Sequence, residues 1–150
     1  MRASNAHRIT VREATHEDIA SIVTLGSSTA TFAVSDSIRF YEAYELREWI
    51  EDPVHNVLLT VLPDDVVGGF AYCKLMSSHW ALLDNFYCTA AAASNGAGLE
   101  LFHALQTRLR STGHAYLTTL VRSDHTTLMR LCQRLGFSKR DDYRWMDLTL

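Results

Sequence analysis

Residues 82–98 read LLDNFYCTAAAASNGAG and join an apolar strand to the start of a helix. The segment 82–89 has the aliphatic and aromatic content of a strand, and apolar residues recur at helical spacing from 101 to 109, until Gly113. Glycines before a helix let backbone N–H groups approach an anion closely, and the helix dipole adds about half a positive charge there. The unit therefore predicts either a phosphate-binding loop or a plain turn between strand and helix.

The chain before this unit predicts a strand, two helices and an antiparallel meander. Thr15 and Asp18 form a capping box that opens the first helix, and Pro53 stops the second. The elements are expected as a strand around Ile9 and Val11, a helix from Thr15 to Gly26, a helix across Ile38 to Ile50, and strands at 56–62, 66–76 and 80–89.

After the central unit the pattern predicts a strand at 115–121, a helix at 126–135 closed by Gly136, and a final strand from Tyr143 to Leu150. No repeat or linker interrupts the order. One domain over residues 1–150 is the expectation.

Composition restricts the class of protein. The chain has 150 residues, 47% of them hydrophobic, with 14 basic and 17 acidic side chains, so it is not a disordered tail. The slightly acidic balance gives no indication of nucleic acid or a membrane surface as partner. Three cysteines do not indicate a disulfide scaffold, and no apolar run at residues 1–10 indicates a signal peptide. A cytoplasmic protein is expected.

Two segments resemble the signatures of the GNAT superfamily of acetyl-CoA-dependent N-acetyltransferases. The phosphate loop of that family, Arg/Gln-x-x-Gly-x-Gly/Ala, falls on residues 93–98, where Ala93 replaces the Arg or Gln. The pattern Asn-x-x-Ala-x-x-Leu-Tyr-x-x-x-Gly-Phe falls on residues 125–137, where His125 and Cys132 replace the Asn and Tyr. The likeness covers almost the entire chain.

The resemblance implies an α/β (α+β) architecture, the GNAT fold. Its mixed, mostly antiparallel sheet is flanked by helices and splits in a V between the fourth and fifth strands. Acetyl-CoA is the implied cosubstrate, with no metal. Its pyrophosphate is expected on the amides of Ser94, Asn95, Gly96, Ala97, Gly98 and Leu99, and the rest of the molecule beside Phe86, Tyr87, Cys88 and His125.

Catalytic residues follow from the same likeness. Residues 83–88 resemble the Leu-Glu-Asp-Phe-Phe-Val pattern of the diamine and thialysine acetyltransferase branch, which places Asp84 on the acid of that branch. Asp84 is then the proton acceptor, directly or through water, or else a solvated surface acid. Cys132 stands where the tyrosine of the family protonates the leaving thiolate, or else it is a small buried core residue.

The acceptor is expected to be a small-molecule or peptide amine held by Phe32, Asp36 and Tyr41. A homodimer is implied by the family alone. A second reading is a GNAT-fold module that binds CoA or a partner protein with weak or no transferase activity. Histidines and cysteines lack the spacing of zinc ligands, so a metal site is not expected.

Overall fold

The computed structural model describes residues 8–150 and contains a five-stranded mixed sheet. The strands lie in the order β1-β2-β3-β4-β5, and each neighbouring pair is antiparallel except β4 and β5, which are parallel. This confirms the predicted fold class. The strands are β1 Ile9–Glu13, β2 Asn56–Pro63, β3 Gly69–Leu75, β4 Trp80–Cys88 and β5 Tyr116–Thr119.

The helices are α1 Ile19–Ser27, α2 Ala43–Glu51, α3 Ala90–Ser94, α4 Ala97–Ser111 and α5 Thr126–Arg134. A 3₁₀ turn at His16–Asp18 carries the predicted capping box and leads into α1. Gly113 and Gly136 follow α4 and α5 with φ angles of 83° and 96°, the left-handed conformation that ends a helix most easily at glycine.

Two apolar layers cover the two faces of the sheet. On one face α4 buries Leu101, Leu105 and Leu109 against the sheet. On the other face α1 and α2 bury Ile22 and Leu46 against aromatic side chains of the sheet. Because apolar side chains pack closely on both faces, the sheet is a rigid support for the side chains of β4.

The parallel contact between β4 and β5 is short. Residues Trp80 to Leu83 pair with Tyr116 to Thr119, whereas residues 84–88 of β4 have no strand partner on that side within residues 8–150. The two strands therefore separate, as the V-shaped split predicts. The opening lies beside the start of α4, because a Cβ built on Gly98 would be 3.8 Å from Cys88 Sγ.

Three predicted elements differ from the structure. The second helix begins at Ala43 and not near Ile38, because Glu42 forms a capping box with Glu45. Residues 90–94 form the short helix α3, which Thr89 caps through a hydrogen bond from the Ala92 amide. The first change lengthens the loop before α2, and the second shortens the loop after β4.

The predicted final strand from Tyr143 to Leu150 is wrong. No residue of this segment is in a strand, and Tyr143 and Leu148 are exposed. A strand needs a partner edge for its backbone groups, and β-propensity alone does not provide one. Residues 1–7, on which part of the expected cellular location rests, lie outside the described residues.

Candidate active site

A β-bulge in β4 determines the geometry of the site. Tyr72 lies opposite Asn85 and Cys73 lies opposite Leu83, so Asp84 is an extra residue without a partner in β3. A bulge breaks the alternation of side chains between the two faces of a sheet. Asn85 therefore lies on the α1–α2 face with Tyr72 and not on the face opposite to Asp84, which strict alternation would predict.

Asp84, the expected proton acceptor, is hydrogen-bonded to Tyr41, one of the residues expected to hold the acceptor amine. The Tyr41 hydroxyl donates to Asp84 Oδ2 at 2.6 Å. Burial, and then the hydrogen bond and charge of Asp84, raise the pKa of the Tyr41 hydroxyl, which therefore remains a donor at neutral pH. Tyr41 reaches the sheet because it lies just before α2 and not inside it.

The aromatic wall beside this pair consists of Tyr41, Trp49 and Tyr72. The rings of Trp49 and Tyr72 stack with centroids 3.6 Å apart, and Tyr41 packs edge-on against Trp49 at 4.6 Å. Burial and the charges of Asp84 and Glu45 raise the pKa of Tyr72, so both carboxylates act on this wall. Aromatic faces and carboxylates together attract a cation.

The carboxylate of Asp84 is exposed to solvent, although its hydrogen-bond partner is half-buried. The sequence left open whether a proton would reach Asp84 directly or through water. Exposure favours a route through water, because water has access to this carboxylate in the described structure.

The other two expected acceptor residues differ in their position. Phe32 packs against Tyr87 of β4 with ring centroids 6.3 Å apart, so it borders the same face. Asp36 is exposed in the loop before α2 and forms no hydrogen bond or ion pair with another of the described residues. The structure therefore brings Tyr41 to Asp84, places Phe32 beside Tyr87 on the same face of the sheet, and gives Asp36 no contact with this group.

At the other end of β4, the residues expected at the cosubstrate line the opening of the sheet. Phe86 packs against Phe102 of α4 at 6.3 Å, and Tyr87 lies on the opposite face. Burial raises the pKa of the Cys88 thiol to about 11, so this cysteine is not a thiolate at neutral pH. The backbone edge of residues 86–88 lies in the part of β4 that β5 does not pair with, so their backbone groups border the gap between the two strands.

The start of α4 offers backbone donors. Gly96 has a φ of 82° and precedes the helix without a side-chain cap. The first helical hydrogen bond runs from the Glu100 amide to the Gly96 carbonyl. The amides of Ala97, Gly98 and Leu99 consequently have no acceptor within the helix.

The preceding residues of the expected loop are already engaged. The amides of Asn95 and Gly96 donate to the carbonyls of Ala92 and Ala93, and the Ser94 hydroxyl donates to Ala91. Because carbonyls of α3 already accept hydrogen bonds from the amides of Asn95 and Gly96, fewer amides are available to a ligand than the 94–99 range expected from the sequence.

His125 directly precedes α5, and Cys132 lies within it. The Nδ1 atom of His125 accepts a hydrogen bond from the Leu128 amide at 3.2 Å, so this side chain caps the helix. Cys132 is half-buried, and burial raises the pKa of its thiol, which keeps it protonated at neutral pH. The structure gives His125 a local structural role that the sequence did not predict.

Sequence reasoning did not find Asn85, Trp49 or Tyr72 as parts of this site. The segment WALLDNFYC carries no visible mark of an inserted residue, because apolar side chains occur at both odd and even positions. The pairing of Trp49 with Tyr72 depends on how α2 lies on the sheet. The sequence shows the aromatic residues of α2 and of β3, but it does not show that Trp49 and Tyr72 are in contact.

Residues 8–150 contain neither clustered metal ligands nor a membrane-spanning helix. No group of three His, Cys, Asp or Glu side chains is placed as metal ligands would be within residues 8–150. None of the helices in that range combines the length and the apolar character that crossing a membrane requires.

Comparison with known proteins identifies relatives. The profile of the Acetyltransferase (GNAT) family matches residues 23–137. No curated protein matches the sequence with significance.

Solved structures resemble the fold at low identity. The PaiA N-acetyltransferase from Thermoplasma acidophilum, in complex with coenzyme A, is 16% identical over 91% of this chain and 93% of that chain, with a TM-score of 0.80. The aminoglycoside N-acetyltransferase AAC(6')-Iy, in complex with CoA, is 15% identical over 99% and 100%, with a TM-score of 0.80. A transcriptional regulator from Bacillus halodurans is 18% identical over 94% and 100%, with a TM-score of 0.77. At these identities the likeness shows the fold alone.

Proposed function

The chain belongs to the GNAT acetyltransferase family, and from that premise we propose that it transfers an acetyl group from acetyl-CoA to a primary amine by direct attack. The observation that carries this proposal is the hydrogen bond between Tyr41 and Asp84 at the β4 bulge, beside the point where β4 and β5 separate. A donor and a carboxylate at this position are what proton removal from an attacking amine requires.

Asp84 acts as the proton acceptor in this proposal. An amine that is protonated in water must lose a proton before it can attack a thioester. The exposed carboxylate takes that proton through water, and the Tyr41 hydroxyl fixes its Oδ2 atom at 2.6 Å. Tyr41 is therefore a positioning residue, and Asp84 is the catalytic one.

The amine lies against the aromatic wall of Tyr41, Trp49 and Tyr72. A protonated amine is attracted there by the aromatic rings and by the negative charges of Asp84 and Glu45, which also raise the pKa of Tyr41 and Tyr72. Small-molecule and peptide amines share this recognition chemistry.

The residues present fit acetyl-CoA on two counts. The three amides at residues 97–99, which have no acceptor within the helix and lie at the positive end of its 15 residues, are suited to a pyrophosphate. The open edge of residues 86–88 offers backbone groups for an extended amide-bearing chain. Acetyl-CoA supplies the activated acetyl thioester, and the chain binds and orients it.

Replacing Gly98 with Leu tests this binding site. Gly98 has no positive φ, and a Cβ there would only meet Cys88 Sγ at 3.8 Å, so neither the backbone nor packing requires glycine. Wild-type protein at about 100 times Kd of acetyl-CoA gains about 2.7 kcal/mol, or roughly 5 to 10 °C in Tm. Gly98→Leu should lose most of this shift while the Tm without ligand stays unchanged.

The control for Gly98→Leu is His103→Leu, which adds the same side chain at an exposed position of α4. It should retain the full shift. If millimolar acetyl-CoA does not move the Tm of the wild-type protein, or if both variants respond alike, the cosubstrate site is not at the start of α4.

Cys132 is proposed to protonate the departing CoA thiolate, through a water molecule because its side chain is short. Its raised pKa keeps the proton available at neutral pH. Cys132→Ala should lower kcat roughly tenfold or more with little loss of Tm, and Cys132→Tyr should retain or raise kcat. Full activity of the Ala variant, or a Tm loss that accounts for the change, would assign Cys132 to packing.

The proposed activity is tested by an acetyl-transfer screen at constant acetyl-CoA. The amines are 1,4-diaminobutane, L-lysine, kanamycin A and a peptide with a free N-terminus, and the readouts are CoA thiol release and the mass of the acetylated product. Amine-dependent release with a matching product is expected. Binding of acetyl-CoA without transfer to any amine would instead favour a CoA-binding or protein-interaction module.

A further inference from the structure

Asn85 carries a buried polar atom without a partner. The residue is 6% exposed, and its Oδ1 forms no hydrogen bond within residues 8–150. The two other buried polar residues of that range, Asp18 and Thr60, are both within hydrogen-bond distance of Arg12. An unsatisfied buried acceptor lowers stability, and functional sites are among the places where such groups are retained.

The bulge places this amide beside the proposed base. Asn85 directly follows Asp84 and lies opposite Tyr72, whose ring belongs to the aromatic wall. In a regular strand two successive side chains would lie on opposite faces, and only one of them would reach the acceptor. The extra residue thus places two oxygen-bearing side chains of successive residues on one face of the sheet, the exposed carboxylate of Asp84 and the buried amide of Asn85.

We propose that Asn85 hydrogen-bonds a second N–H of the acceptor amine and thereby selects primary over secondary amines; this inference rests on the proposed acetyl transfer. A neutral primary amine has two N–H groups. Asp84 or its water takes one, and the amide oxygen takes the other after the amide turns about its terminal bond. The nitrogen lone pair is then oriented by two contacts. An N-methyl amine has only one N–H and cannot use both.

The test uses Asn85→Leu, which has a similar shape and no polar atom. Each panel amine is compared with the derivative in which every amino group carries one N-methyl group, so that no primary amine remains, and the pair with the highest wild-type kcat/KM is used. Asn85→Leu should lower kcat/KM for the primary amine roughly 10- to 100-fold, leave the N-methyl amine within about twofold, and raise Tm by about 3 to 6 °C. Function and stability are expected to move in opposite directions.

Two further variants keep the result interpretable. Asn85→Asp retains oxygen acceptors and should retain the preference for the primary amine. Asn56→Leu removes an amide whose oxygen accepts from Tyr72 at 2.9 Å and whose nitrogen donates to Asp52 at 3.1 Å. It should lower Tm and leave the preference unchanged.

The inference is wrong if Asn85→Leu keeps the wild-type preference, if it lowers Tm, or if Asn85→Asp loses the preference equally. Failure of the underlying function is distinguishable, because a wild-type protein that acetylates no amine of the panel would show it before any variant is made.

Discussion

Replacing Asp84 with Asn should lower kcat by about 10²- to 10⁴-fold, the range that general-base catalysis typically contributes. The substitution keeps the shape of the side chain and an oxygen to accept the Tyr41 hydroxyl, which lies 2.6 Å from Oδ2 in the wild type. It removes the negative charge and with it the ability to take a proton. The Kd of acetyl-CoA should change little, because its proposed donors lie at residues 97–99.

Two controls accompany this variant. Tyr41→Phe retains the ring against Trp49 and removes the hydroxyl, so kcat should fall much less than in Asp84→Asn. Asp141→Asn changes an exposed aspartate in the C-terminal segment and should leave kcat unchanged. An unchanged kcat and pH profile in Asp84→Asn would make Asp84 a surface acid without a catalytic role.

The largest effect on stability is expected from Asp18. This carboxylate is 4% exposed and receives two hydrogen bonds from Arg12, at 2.6 and 3.0 Å, and one from the Thr15 amide at 2.7 Å. Asp18→Ala leaves the half-exposed guanidinium of Arg12 and the Thr15 amide without their acceptor, and losing hydrogen bonds to a charged group costs about 1.5 to 3 kcal/mol. Urea unfolding at pH 7 should show this loss, with a fall in Tm of roughly 3 to 12 °C.

The same pair makes stability depend on pH. Burial alone would raise the pKa of Asp18, but the hydrogen bonds from Arg12 and Thr15 outweigh it and lower the pKa. The contribution is therefore fully present above the unfolded-state pKa of about 3.9 and is lost as the pH falls through the folded value. The difference in unfolding free energy between wild type and Asp18→Ala should narrow from pH 5 to pH 2. A constant difference would show that the charge of Asp18 does not stabilise the fold.

Local signals in the sequence predicted most of the fold. The Thr15 and Asp18 capping box, the glycines after α4 and α5, and the turns of the meander each have a mechanism within a few residues, and the structure has all of them. The sequence analysis predicted Asp84 in the catalytic site and Tyr41 in the acceptor site, but it did not predict the hydrogen bond between them. Tyr41 was expected near the acceptor from its place in the chain.

The remaining features depend on contacts between distant residues. The bulge arises from the register between β3 and β4, which shifts between Tyr72 and Cys73 and leaves no mark in either strand. Residues 143–150 have strand-like composition but find no partner edge in the structure. Asn85 lies on the same face as Asp84 because of the bulge, whereas strict alternation would place the two on opposite faces. Tertiary pairing decided each of these cases, as it does wherever propensity competes with packing.

The central claim is direct transfer from acetyl-CoA at the start of α4 to an amine at Asp84, and a crossed initial-rate matrix tests it most directly. Acetyl-CoA and the best amine of the panel are varied together while CoA release is followed. Lines that intersect in the double-reciprocal plot are expected, because both substrates must be bound before the amine attacks. Parallel lines would indicate a covalent acetyl-enzyme, and CoA release independent of the amine would contradict amine acetylation.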